Sequence, residues 1–183
     1  RLRDLPLPPR LARMVVDAAA QGAGVLAATI AAVLTERGLG GDDVDLGHRL
    51  EQFRRDRSRR AEEARAMLTR WAQAAHDKKG DGDHSPGSLL ALAYPDRVAR
   101  NRGGSGGAFL LANGRGGAVD PTSALAREPF LVVAELTGAA ATGRIMLAAP
   151  ITLAQIEARF SREIEDREAV TFDSASASLR ARR

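Results

Sequence analysis

The sequence predicts an α+β fold, an N-terminal helical bundle followed by an antiparallel β half, and three observations carry that expectation. Up to about residue 75, apolar residues recur at three- and four-residue spacing, the period of one helix face. Beyond residue 107, short apolar runs alternate with glycine-rich turns, the pattern of strands. Apolar residues make up 44% of the chain but aromatics only 4%, so the core is aliphatic, rich in alanine and leucine, and suited to helix packing. The period changes within residues 89–120, where an apolar helix end meets Tyr94-Pro95-Asp96-Arg97, a basic string and a glycine-serine tip at residues 103–107. Four arginines and a pliable backbone meet there, so a functional surface is expected there.

The helices follow in order. Prolines at positions 6, 8 and 9 stiffen the lead-in, and Pro9 suits a first helical position. Leu11, Met14, Val15, Ala18 and Ala19 then share one face until Gly22 and Gly24 interrupt it. A second helix, residues 25–37, carries Leu26, Ile30, Val33 and Leu34 and so few polar residues that it should be the most buried. Asp42 or Asp43 is placed to cap the next helix, in which Leu46, Leu50 and Phe53 align. Residues 51–70 hold seven arginines against four acids. That pattern fits either a phosphate-facing stripe on one long helix or a solvated face with local ion pairs. Trp71, beside Met67, Leu68, Ala72 and Ala75, reads as a core anchor.

Residues 77–87 form a polar linker in which Asp81, Asp83 and His84 match no calcium or zinc spacing. A short helix resumes at residues 88–93. Strands are expected at residues 108–112, opening at 118, and at residues 130–136 and 143–149 as a hairpin. A helix at residues 153–160, a strand at 169–173 and a return at 177–182 close the sequence, with the β half reading as incomplete.

The net charge of +4 permits an acidic or nucleic-acid partner without requiring one. The absence of cysteine excludes disulfides, thiolate metal sites and thiol nucleophiles, and suits a reducing cytoplasm. The longest apolar run, residues 22–34, is about 13 residues against the ~20 that span a bilayer, so no membrane partner is expected. The N-terminus has no signal-peptide core and no initiating methionine, so the chain reads as a piece of something longer. No phosphate-loop motif or dinucleotide fingerprint occurs, and neither His48, His76 and His84 nor the acids Glu62, Glu63, Glu163, Glu165 and Asp166 compose a catalytic set. No catalytic residue, metal or cofactor is expected within this chain.

Several segments, in order, carry a resemblance: Leu5-Pro6-Leu7-Pro8-Pro9-Arg10-Leu11-Ala12-Arg13-Met14, Leu89-Leu90-Ala91-Leu92-Ala93-Tyr94-Pro95-Asp96-Arg97, Phe109-Leu110-Leu111-Ala112-Asn113-Gly114-Arg115-Gly116, Phe130-Leu131-Val132-Val133-Ala134 and Leu147-Ala148-Ala149-Pro150. Together they resemble the C-terminal half of bacterial HrpB-type ATP-dependent helicases of the DEAH-box group. The resemblance implies that residues 1–87 are ratchet helices and residues 88–183 an OB-like β region. It implies an accessory module that helps to form a single-stranded nucleic-acid channel. ATP and magnesium would belong to RecA-like lobes absent from this sequence, and those lobes and single-stranded RNA or DNA would be its partners. It departs from the family at Pro8 and in its glycine-rich tip. Arg97, Arg100, Arg102 and Arg115, with Asn113 as a polar contact, are the candidate nucleic-acid-binding residues. Each has an ordinary alternative: Arg97 can pair with Asp96, and Asn113 can serve the turn. A protein-interaction module docking on a partner or on the missing lobes is the competing reading.

Overall fold

Pro9, whose missing N–H would be unpaired at this position in any case, opens α1 (Pro9–Ala19), which buries Leu11, Met14, Val15 and Ala18. Helix α2 (Gly24–Thr35) carries no charged residue and buries seven of its 12 residues. Its own N-cap, Ala23, offers no side-chain acceptor, and a distant residue supplies one. Asp77 Oδ1 accepts from the Gly24 N–H at 2.9 Å and Oδ2 from the Val25 N–H at 3.2 Å. A carboxylate on the first N–H groups also complements the positive end of the helix. In the computed structural model the described residues are 5–78, 80, 84–138, 141–162, 169–173 and 178–182.

Helix α3 (Leu46–Arg55) is capped by Asp45, whose side chain accepts from the Gly47 N–H. The expected caps, Asp42 and Asp43, sit too early in the chain. Asp43 instead closes the lead-in turn, accepting from the Asp45 N–H at 2.8 Å, and lies 3.0 Å from His48 Nδ1. The hydrogen bond that its ring donates to Asp43, with the charges of Asp45 and Asp43, holds the His48 imidazolium above its ordinary pKa range. A raised histidine pKa stabilises the fold fully below about pH 6.5, and that contribution disappears as pH rises through the folded value. His48→Gln is therefore expected to melt with the wild type at pH 9 and below it at pH 5.5. Equal melting shifts at both values would contradict this.

The arginine-rich stretch is divided between two helices and so does not form the single long helix that the phosphate-facing alternative required. Asp56 accepts from the Ser58 N–H at 2.8 Å, and Ser58 then caps α4 (Arg59–Ala74) through the Ala61 N–H. An Asx turn followed by an N-cap is a strong local break. Four of the stretch's seven arginines are committed locally. Arg54 and Arg55 bond Glu51 at 2.8 and 2.7 Å, and Arg59 bonds Glu63 at 2.9 Å. Arg65 lies 5.0 Å from the Phe53 ring centroid and donates to the Phe53 and Asp56 carbonyls. A solvated face with local pairs is what this stretch provides. Trp71, 6% exposed, is the anchor expected of it.

Ser85 caps α5 (Pro86–Ala93), which packs against α1, α2, and the two longest strands described below. Five strands then close a barrel: β1 (Val98–Asn101), β2 (Ala108–Leu111), β3 (Gly116–Ala118), β4 (Phe130–Thr137) and β5 (Thr142–Pro150), in the order β1-β2-β3-β5-β4. Four of the pairings are antiparallel, but β3 and β5 run parallel, so the expected antiparallel sheet is a mixed one. The reason is the connection. Residues 119–129, with a 3₁₀ turn at Ala124–Arg127, carry the chain across to β4, and β5 returns alongside β3 in the same direction. Strand β1 was not expected, because its one fully buried side chain, Ala99, is small and flanked by polar residues. Phe109, Leu111, Leu125, Leu131, Val133 and Ile145 fill the barrel.

Arg1–Thr152 forms one compact unit and Leu153–Arg183 another. The second contains α6 (Leu153–Phe160) and an antiparallel pair, β6 (Ala169–Asp173) with β7 (Ser178–Arg182). Asp81, Asp83, Glu163, Glu165 and Asp166 lie outside the described residues. Among the described residues no acidic, histidine or cysteine group is arranged to hold a metal, and no helix is long and apolar enough to cross a membrane.

Candidate nucleic-acid interface

Helix α5 ends at Tyr94, and a 3₁₀ turn at Pro95–Arg97 leads directly into β1. The Tyr94 ring sits between two guanidinium groups, Arg97 at 4.7 Å and Arg10 at 5.7 Å from its centroid. Arg97 Nη1 also donates to the Ala134 carbonyl at 2.7 Å, so this side chain ties the hinge to β4. Asp96 pairs with Arg10 at 2.5 Å, and not with Arg97. Burial pushes the Asp96 carboxyl up, but the Arg10 hydrogen bond and the charges of Arg10 and Arg97 leave it below the usual range.

Asn113 and Arg115 shape the β2–β3 turn. Asn113 Oδ1 accepts from the Arg115 N–H at 3.0 Å, and the Asn113 N–H reaches the Asp96 carbonyl at 3.0 Å. The positive φ of this turn falls on Gly114, at 87°, so Asn113 serves as an acceptor and not as the left-handed residue. Arg115 Nη2 donates to the Gly138 carbonyl at 2.7 Å, linking the β2–β3 and β4–β5 turns.

Arg97, Asn113 and Arg115 thus gather at one end of β1. Arg102 lies at the other end, roughly 13 Å along the strand by the usual rise per residue, where the exposed tip begins. Arg100 stands between them, directed outward because Ala99 points into the core. The five residues expected to form one site are therefore spread along a strand.

Register adds two residues that sequence reasoning passed over. Phe130 on β4 and Leu110 on β2 are both paired with Arg100, placing a half-buried aromatic ring on the same outer face. Arg144 on β5 is exposed and paired with Ala118 on β3. The signal for Arg144 was present in the alternation Gly143 in, Arg144 out, Ile145 in. Strands β1, β2, β3 and β5 carry Arg100 and Arg144 and no acid.

A closed five-strand barrel of order 1-2-3-5-4, preceded by alanine- and leucine-rich helices, defines an α+β protein with an OB-like region. Its sequence is 33% identical over 176 residues to the ATP-dependent RNA helicase HrpB of Escherichia coli K12, covering 94% of this chain and 21% of the helicase. The fold agrees. The crystal structure of the E. coli DExH-box NTPase HrpB matches with a TM-score of 0.74 and 29% identity, over 98% of this chain and 22% of that one. A crystal structure of the E. coli DEAH/RHA helicase HrpB matches with a TM-score of 0.67 and 27% identity, over 96% and 21%. No family model matches the chain. The resemblance to HrpB read from the sequence holds in both sequence and structure, and the chain spans about a fifth of the length of these relatives.

Proposed function

We propose that this chain is an accessory, non-motor region of an HrpB-type helicase that helps to line the path of a single nucleic-acid strand. In this reading residues 1–87 form the ratchet-like helical bundle and residues 88–183 the OB-like region. RecA-like lobes of the same parent chain would supply ATP and magnesium chemistry, in the cytoplasm. The observation that carries it is likeness to HrpB over nearly the whole chain. The outward arginines on the barrel support it, because OB-type folds hold single strands through phosphate contacts and stacking. Arg97, Arg100, Arg102, Asn113 and Arg115 are the contacts proposed, with Arg97 and Arg115 also holding the surface in shape.

Fluorescence anisotropy with single-stranded RNA at low and physiological salt tests the reading. An Arg97/Arg100/Arg115 triple alanine variant is expected to bind about 10–100-fold more weakly at low salt, with a salt slope shallower by roughly 2. A folded wild type that binds no RNA at low salt would sink it. One feature favours docking on another protein surface instead. A groove of about 820 Å³ runs between α2, α3 and α4, lined by Leu26, Leu50, Phe53 and Leu68, with Val25 53% exposed. Apolar docking there would be nearly insensitive to salt, unlike phosphate binding.

A further inference from the structure

Two apolar surfaces of this chain remain open to solvent. The first is on α6, none of whose eight residues is buried, with Leu153 53% exposed. At about 100° per residue, Leu153, Ile156 and Phe160 fall on one stripe, with Glu157 on one flank and Arg159 on the other. A helix this short gains too little from propensity alone to persist in water, so the stripe is built to be covered.

The second is the groove of about 820 Å³ in the helical part of the larger unit, apolar along Leu26, Leu50, Phe53 and Leu68. Helix α2, which forms one wall, carries no charge. Arg65 stands about 13 Å of helix before the end of α4, and Asp77 follows that end. An eight-residue helix is about 12 Å long, so α6 matches this span. The charges match as well. Glu51 is shared by Arg54 and Arg55, and Arg65 donates to main-chain carbonyls, so the Arg65 end has a surplus of positive charge. Asp77, on the first N–H groups of α2, is the acid at the other end. Glu157 and Arg159 supply the opposite sign to each.

We propose that two copies of this chain associate by exchanging α6, the Leu153, Ile156 and Phe160 stripe of each seated in the α2–α4 groove of the other. A reciprocal exchange closes on itself with two-fold symmetry, so it stops at a dimer. Its two contacts together bury roughly 1,200 Å², the low end of specific interfaces, and the dimer accordingly dissociates on dilution into the micromolar range. The exchange makes no use of the barrel and is independent of the nucleic-acid reading.

The test uses this 183-residue chain, which has no cysteine, so single-cysteine variants report one position each. Thr29→Cys marks the groove and Glu157→Cys the flank of the α6 stripe. The two chains, one carrying a tag so that products separate by size, are mixed at about 100 µM, well above a micromolar Kd, and treated with a short bismaleimide. Each variant is first checked for wild-type circular dichroism. The Thr29→Cys/Glu157→Cys heterodimer is expected to dominate both homodimers, and light scattering of the wild type to give twice the monomer mass. Leu153→Glu combined with Phe160→Lys places charges that suit the two ends of α6, and it should abolish both signals while keeping the helix. Glu157→Cys chains that cross-link chiefly to one another would mean that α6 packs on α6, which overturns the exchange. A wild type that stays monomeric, with cross-linking no stronger than that of Ser105→Cys in the glycine-rich tip, overturns it too and leaves the groove to another protein.

Discussion

Gly87→Ala is expected to lower the melting temperature by about 6–12 °C. Gly87 lies in the first turn of α5, where an added Cβ would sit 1.9 Å from the Pro150 carbonyl oxygen and 2.9 Å from its carbon. Both neighbours are backbone, so neither a rotamer change nor a flexible tip relieves the clash, and α5 has to back away from β5. Overpacking of this kind costs about 3 kcal/mol, and in a chain of this size each kcal/mol moves the midpoint by about 2–4 °C. Gly106→Ala is the control, since its Cβ would meet nothing within 4 Å and its φ is ordinary. It should stay within about 0.5 kcal/mol of wild type. Calorimetry on both variants decides the matter, and a Gly87→Ala protein that melts with the wild type would show that α5 does not pack so closely on β5.

Phe109→Ala should cost more. The ring is fully buried inside the barrel, among Leu111, Leu125, Leu131 and Ile145. No other aromatic side chain belongs to that cluster. Removing a buried ring loses its transfer free energy and leaves a cavity in a barrel whose hydrogen-bonded circumference resists collapse, about 3–5 kcal/mol in all. Guanidinium unfolding measures this directly. A loss below about 1 kcal/mol would mean that the barrel refills the space or that Phe109 is not its centre. Phe130→Leu, on the outer face, should change stability far less.

Much of this architecture was legible because it rests on local rules. Pro9 marks a helix start, the apolar residues of α2 announce a buried helix, and the β4–β5 hairpin follows from two long apolar runs around a small-residue turn. What escaped depends on distant partners. Asp77 caps a helix more than fifty positions earlier, and no local pattern joins them. Strand β1 rests on the small side chain of Ala99, too weak a signal beside arginines that read as a basic string. Of the candidate site, the residue types and their region were legible. Their arrangement was not, because the register of β1 against β2 and β4 decides which side chains share a face, and a sequence period does not reveal which strands become neighbours. Arg97 shows the difference: its charge is evident, while its donation to the Ala134 carbonyl requires the closed barrel.

That closure also governs how the chain meets other chains. Because β1 pairs with both β2 and β4, every strand of the barrel has two neighbours, and no unsatisfied row of N–H and C=O groups is offered to an incoming segment. A partner, whether the rest of a helicase or a nucleic acid, must therefore engage the barrel through side chains and turns, and not by adding a strand. The β6–β7 ribbon is built differently: in a two-stranded sheet each strand has one open side. Strand-mediated self-association or β-augmentation of this protein accordingly has one place to begin among the described residues, Ala169–Asp173 with Ser178–Arg182, and a proline set into either strand there should suppress it while leaving the barrel closed.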